Sequence, residues 1–182
     1  MEIGKFSVSD TRLERCDLAN VVLYESALHR VELLGCRLTG ATWASASMRH
    51  VAFVDCTADM SSFRFVSSLA VEFVDCRFQR ADFASADLRG ARFERCDLTG
   101  ADLSSARAAK AVFVDCTWDG IRGVSSLAGA TIANASPIDT LTFTAAMAGR
   151  LGITLAHPSE LVAAYVLGEM SLPRCTAAGS AA

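Results

Sequence analysis

Six cysteines, Cys16, Cys36, Cys56, Cys76, Cys96 and Cys116, recur every 20 residues without a gap. Thiols at a fixed spacing are the side chains of this sequence best suited in type to hold a metal or to form disulfides. Three histidines, His29, His50 and His157, are the groups that ordinarily titrate near neutral pH. His29 and His50 fall among Arg30, Arg49, Arg89 and Lys110. That basic strip suits an acidic partner or a phosphate, or else is a solvated face. The strings Gly-x-Ser-x-Gly, Gly-x-Gly-x-x-Gly and His-Glu-x-x-His are absent.

Whether the thiols can act together depends on the element that carries them, and the sequence has a period of five. Starting at Val8, Leu13, Leu18 and Leu23 and running by fives to Trp118, 23 positions are large and apolar except Ala58, Ser68 and Ala108. Two places before each lies a second series, Phe6, Thr11, Cys16, Val21 and onward to Cys116, made after Phe6 of small residues, β-branched residues and cysteine. None of these 46 positions is charged, whereas all 29 Asp, Glu, Lys and Arg residues between 6 and 120 occupy the other three places. Such segregation marks a buried face and a wet face.

Neither a helix of period 3.6 nor a strand of period 2 keeps every fifth residue inside, so each unit must bend the chain by a fixed amount. The cysteines, and Leu13, Leu33, Phe53, Phe73, Phe93 and Phe113 three places before them, repeat at 20, which is four units. The expected object is a solenoid of four sides with like residues stacked from coil to coil. Its thiols would point in parallel into a packed lumen. They then cannot surround a tetrahedral ion, and their parallel Cβ vectors disfavour the near-perpendicular S–S dihedral. Buried thiols in a reducing compartment are expected, with Cys175 outside the ladder as an exposed thiol.

Ala81-Asp82-Phe83, Ala86-Asp87-Leu88, Cys96-Asp97-Leu98 and Ala101-Asp102-Leu103 resemble the A-[DN]-[LF]-x-x units of the pentapeptide-repeat family, over about residues 6 to 132. The resemblance implies an all-β solenoid, a right-handed quadrilateral β-helix. Six coils at strand spacing would make a rod about 29 Å long.

The pattern weakens between Cys56 and Val71, where Met60, Phe65 and Leu69 stand at outward places. A local bulge is expected there, with one of these side chains covering the thin lumen, or else a partner-contact site. After Trp118 the phase slips by one residue, so that Leu127 and Ile132 take the centres, which is read as the last turn of the coil. The expected division is a β-helix over 1–135, a helical cap over 136–171 and a disordered tail over 172–182. Ser136-Pro137-Ile138-Asp139 opens a helix running to about Arg150, and a second follows Pro158 to about Met170. Leu161, Tyr165 and Val166 make that second helix apolar on more than one side. In topoisomerase-protecting members of the resembled family a C-terminal helical region forms the dimer, so these residues are candidates for a homodimer interface.

Of 182 residues 52% are hydrophobic and 20% charged, and the net charge is −3. This describes one globular domain without the basic excess of a nucleic-acid binder, and no direct nucleic-acid contact is expected. The longest charge-free apolar candidate, Leu161–Leu167, is too short to span a membrane, and the start lacks a secretory h-region, so a cytoplasmic location without membrane contact is expected. A rod filled with side chains has no cleft, which points to a non-enzyme without cofactor or metal that binds an unknown protein partner through its outer faces. Two surfaces are candidates: the strip Leu34, Val54, Val74 and Val114, read either as a docking surface or as half-covered corners, and the acids Asp82, Asp87, Asp97 and Asp102. The resemblance implies an alternative, a DNA mimic that binds DNA gyrase or topoisomerase IV and protects it from quinolones or toxins. Residues 6 to 132 hold 16 acidic and 14 basic side chains, a weak match to the charge of a duplex. Phe73→Asp is expected to prevent folding and Asp87→Ala, on the outside, to cost little.

Overall fold

The structure, a computed structural model, describes residues 5–136 and 154–156. Eight parallel strands stack in sequence order into one sheet. They are β1 (Ser7–Glu14), β2 (Ala27–Leu34), β3 (Ser47–Val54), β4 (Ser67–Val74), β5 (Arg92–Glu94), β6 (Val112–Val114), β7 (Thr131–Ala133) and β8 (Thr154–Ala156). From β1 to β6 every partner lies 20 residues away, as in Leu13↔Leu33↔Phe53↔Phe73↔Phe93↔Phe113. Single bridges at the same lag, such as Asp17↔Arg37 and Val22↔Thr42, carry the remaining sides upward. Four sides therefore rise together: units starting at residues 6, 11, 16 and 21 form the first to fourth sides, and each recurs one coil later.

The period of five is a period of corners. Every multiple of five from Asp10 to Gly120 has a positive φ. At many corners the chain closes a β-turn, as when Ala41 N–H donates to Leu38 O at 2.9 Å and Ala101 N–H to Leu98 O at 2.9 Å. Positive φ at the third residue of such a turn favours glycine or asparagine, which accounts for Asn20, Gly40 and Gly100. Other residue types accept the strain because hydrogen bonds above and below fix the backbone.

The lumen is sealed by the two series predicted to fill it. Leu33, Leu38, Met48, Phe53, Phe83, Phe93 and Phe113 are fully buried. On the second side the rings of Phe53, Phe73, Phe93 and Phe113 stack at 5.0, 4.6 and 4.7 Å. Each thiol of the ladder donates to a backbone carbonyl; Cys76, for example, donates to Val74 O at 3.3 Å and Phe53 O at 3.4 Å. All six are free, and Cys16, in the lowest coil, is the one only half-buried. Burial pushes the Cys36 thiol up. Its neighbour's thiol and burial together push Cys76 up further.

Three expectations need correction. There is no bulge between 58 and 70, because Thr57 and Ser62 pair at a lag of 20 with the coils on both sides and β3 and β4 stay in unbroken register. Met60, Phe65 and Leu69 do not cover the lumen but remain 60%, 55% and 54% exposed. The volume missing at Ala58 is supplied from within, where Phe78 packs against Phe63 and Phe73 at 5.8 and 5.2 Å. Nor does the phase slip end the coil. A 3-10 turn at Val124–Leu127 absorbs it, β7 joins β6 at a lag of 19, and β8 adds a further strand inside the span assigned to a helical cap. The expected helices at 136–150 and 159–170, the candidate dimer residues Leu161, Tyr165 and Val166, the tail and Cys175 lie outside the described residues. Among the described residues no helix is long and apolar enough to cross a membrane.

Candidate functional site

With the lumen filled, the surfaces left for function are the four outer sides. The four candidate acids do not share one. Asp82 and Asp102 stack on the fourth side, Asp87 lies on the first and Asp97 on the third. Each stands just before a lumen residue, where one carboxylate oxygen can reach the N–H two places on and cap the turn. Ala84, Arg89, Thr99 and Ser104 donate in this way to Asp82, Asp87, Asp97 and Asp102 at 2.9, 3.3, 3.0 and 2.8 Å.

The second oxygen meets a neighbouring coil. Arg64 holds Asp82 at 3.0 Å, Gln79 holds Asp97 at 2.7 Å, and Arg122 holds Asp102 at 3.2 Å. Asp87 is held by both Arg89 and Arg107, at 2.7 and 2.9 Å. Hydrogen bonding by Arg89 keeps the Asp87 carboxyl below the usual carboxylate range, and that of Ser104 does the same for Asp102. Burial alone would raise Asp97, but Thr99 and Gln79 outweigh it. Sequence reasoning missed this double duty. The signal was present in the Asp that precedes so many centres, and in arginines placed 18 or 20 residues from them.

The basic strip is partly neutralised in the same manner. Arg30 is bound to Asp10, with its Nη2 at 2.6 Å, and Arg89 to Asp87. The rings of His29 and His50 meet edge to face at 6.1 Å between centroids. Among the described residues no group of three or more His, Cys, Asp or Glu side chains is placed to hold a metal ion.

The apolar strip lies on the second side. Leu34, Val54 and Val74 are in register on β2, β3 and β4, with Glu94 and then Val114 continuing the column; all are half-buried. Beside it run Glu32, Ala52, Glu72, Arg92 and Val112, which also point outward. The most exposed apolar side chains lie elsewhere. Met60 and Phe65 sit at corners with φ of 55 and 57°, and Leu69 lies on the first side. A large side chain held at positive φ and left in water gains neither favourable backbone geometry nor burial within this chain.

A family model described as Pentapeptide repeat region matches residues 26–103, and one described as Pentapeptide repeats (8 copies) matches residues 9–42. None of the curated proteins shows a significant sequence match. Among solved structures the chain is similar to full-length QnrB1, a plasmid-mediated fluoroquinolone resistance protein, at 15% identity and a TM-score of 0.34, over 92% of this chain and 100% of that one. It is also similar to Rfr23, a pentapeptide repeat protein from the cyanobacterium Cyanothece 51142, at 12% identity and a TM-score of 0.43, over 85% and 91% of the two chains. HetL from Nostoc sp. strain PCC 7120, a pentapeptide repeat protein involved in heterocyst differentiation regulation, matches at 16% identity and a TM-score of 0.25, over 71% and 86%.

Proposed function

The chain belongs to the pentapeptide-repeat family, and on that premise we propose that it is a non-catalytic solenoid that binds a protein partner through its outer faces. The observation that carries this reading is the exposure of Met60, Phe65 and Leu69 at mid-rod, 60%, 55% and 54%, on a lumen already filled without them. Large apolar side chains are costly to leave in water and are what a protein interface uses. Nothing inside the rod requires them, because Phe63 and Phe78 already pack the level at which they sit.

The test is a photo-crosslinking side chain placed at Phe65. It is expected to join the rod to a discrete protein in a lysate of the source cell, and the triple variant Met60→Ser, Phe65→Ser, Leu69→Ser is expected to lose that partner while melting no lower. A triple variant that unfolds would instead assign these side chains to stability and sink the reading.

The DNA-mimic alternative draws no support from the acids chosen for it. Asp82, Asp87, Asp97 and Asp102 lie on three sides, and arginine or glutamine binds each of them. A duplex presents unpaired phosphates in continuous rows.

A further inference from the structure

One acid on the second side is half-buried and unanswered. Glu72 and Val74 point outward from β4, with Ala52 and Val54 beside them on β3 and Arg92 and Glu94 on β5. Leu34, Val54 and Val74, at strand spacing, make an apolar ridge about 10 Å long, and Glu72 flanks its upper end. Arg92 is its neighbour in register, yet that guanidinium is turned to Glu94, with Nε and Nη2 at 3.2 and 2.7 Å from one carboxylate oxygen. Of the other arginines on this side, Arg12 is bound to Glu14 at 2.7 Å, Arg95 is bound to Asp75 and Glu94, and Arg15 stands at a corner three coils below Glu72. Among the described residues the Glu72 carboxylate accepts no hydrogen bond and makes no ion pair, while its backbone is held in the β4 ladder. Burial accordingly pushes its carboxyl above the ordinary glutamate value, against the pull of Arg92.

A half-buried carboxylate without a partner costs free energy in the isolated chain, and a cation brought from outside would recover it. We propose that this side docks a protein segment that lays apolar side chains along Leu34, Val54 and Val74 and sets a lysine or arginine over Glu72. The proposal rests on the reading that the outer faces bind protein, and it names one face and the chemistry of its partner. Charge selects that chemistry. The outward residues of this side, corners included, hold Glu14, Glu32, Asp55, Glu72, Asp75, Glu94 and Asp115 against Arg12, Arg15, Arg92 and Arg95, so a cationic segment is attracted and an acidic surface or a nucleic acid repelled. A second copy presenting the same side would set acid against acid.

The probe is a short fluorescein-labelled amphipathic peptide of leucine and lysine, titrated into the full chain and followed by anisotropy. Its counterparts carry serine for leucine or glutamate for lysine. The leucine–lysine peptide is expected to bind, and its affinity to fall about tenfold in Glu72→Gln and in Val54→Ser, while Asp119→Asn on the third side changes nothing. Carbodiimide should then join a peptide lysine to Glu72, located by mass spectrometry. The absence of binding, equal binding by Glu72→Gln, equal binding of the serine–lysine peptide, or coupling confined to Asp55, Asp115 or Asp119 overturns the proposal. Thermal melting of each variant separates a lost contact from a lost fold. If this assay fails while the crosslinker at residue 65 still captures a protein, the general reading stands and the face assignment falls; failure of both removes both.

Discussion

Arg107 donates to Asp87 across one coil at 2.9 Å, and the same carboxylate also holds the backbone N–H and guanidinium of Arg89. Asp87 is 8% exposed. A residue assigned to the outside from its place in the repeat is thus a staple between coils. Its removal leaves a backbone donor and two arginines unanswered, so Asp87→Ala is expected to cost about 1–3 kcal/mol. These contacts argue for a larger effect than the outward place in the repeat implies. Urea unfolding decides it, and Asp87→Asn, which keeps the cap, should lose less than the alanine variant.

The contrast between lumen and corner can be read from two phenylalanines. Phe73 is 1% exposed and stacks on Phe53 and Phe93, whereas Phe65 is 55% exposed at a corner. Phe73→Ala should cost about 3–5 kcal/mol and Phe73→Asp should prevent folding. Phe65→Ala should shift the denaturation midpoint little. Similar losses for the two alanine variants would contradict the placement of Phe65.

Gly123 stands where the repeat slips. Its φ is +76°, and a Cβ there would lie 2.3 Å from Ser104 N and 2.5 Å from Leu103 C. The backbone of the coil below cannot yield as a flexible side chain would. Gly123→Ala is expected to loosen the 3-10 turn and β7 while coils two to five keep their protection. Hydrogen exchange resolved along the chain would show it, and uniform protection would refute the close approach.

Stability should depend on pH in two opposite ways. Hydrogen bonds hold Asp75, Asp87 and Asp102 below their ordinary values, so their contribution is full above about pH 4 and is lost as pH falls through the lower folded values. Glu72 is raised, so its charged form opposes folding at neutral pH and the opposition fades as pH falls through its raised value. Glu72→Gln should therefore stabilise the chain at pH 7, and the gain should vanish below the ordinary glutamate value of about 4.3. Melting curves of both proteins across pH test the sign.

Gyrase supercoiling gives the direct trial of the alternative function. With the candidate acids bound to side chains of neighbouring coils, the expected result is no inhibition and no quinolone protection at saturating folded protein, with gyrase from the same organism. Protection would restore the DNA-mimic reading and direct attention to the fourth side, where Asp82 and Asp102 stack.

Much of the fold was legible because burial excludes charge, and the exclusion repeats. Val8, Leu13 and Cys16 already show which residues turn inward, and Cys36 and Cys56 show that a coil takes 20. The expected bulge is absent because Ala58 and Ser68 are lost volume only when each is read in its own column, whereas the lumen is shared by rings from several sides. Phe78 fills from the next coil what Ala58 leaves. For the outer faces the repeat gives each residue's column, but pairing depends on the rotamers of long side chains on adjacent coils. Arg77 reaches down to Asp59, whereas Arg92 turns within its own strand to Glu94.

By itself the sequence determined the period of five, the coil of four units, the two inward series and the parallel ladder of thiols, since each follows from a repeated choice between apolar and charged residues. Tertiary structure decided which acids are spent on turns and arginines, that Met60, Phe65 and Leu69 stay in water, and that Glu72 stands half-buried beside an arginine already engaged. Those outcomes rest on distances between coils, where a side chain has several neighbours within reach and its free energy selects one.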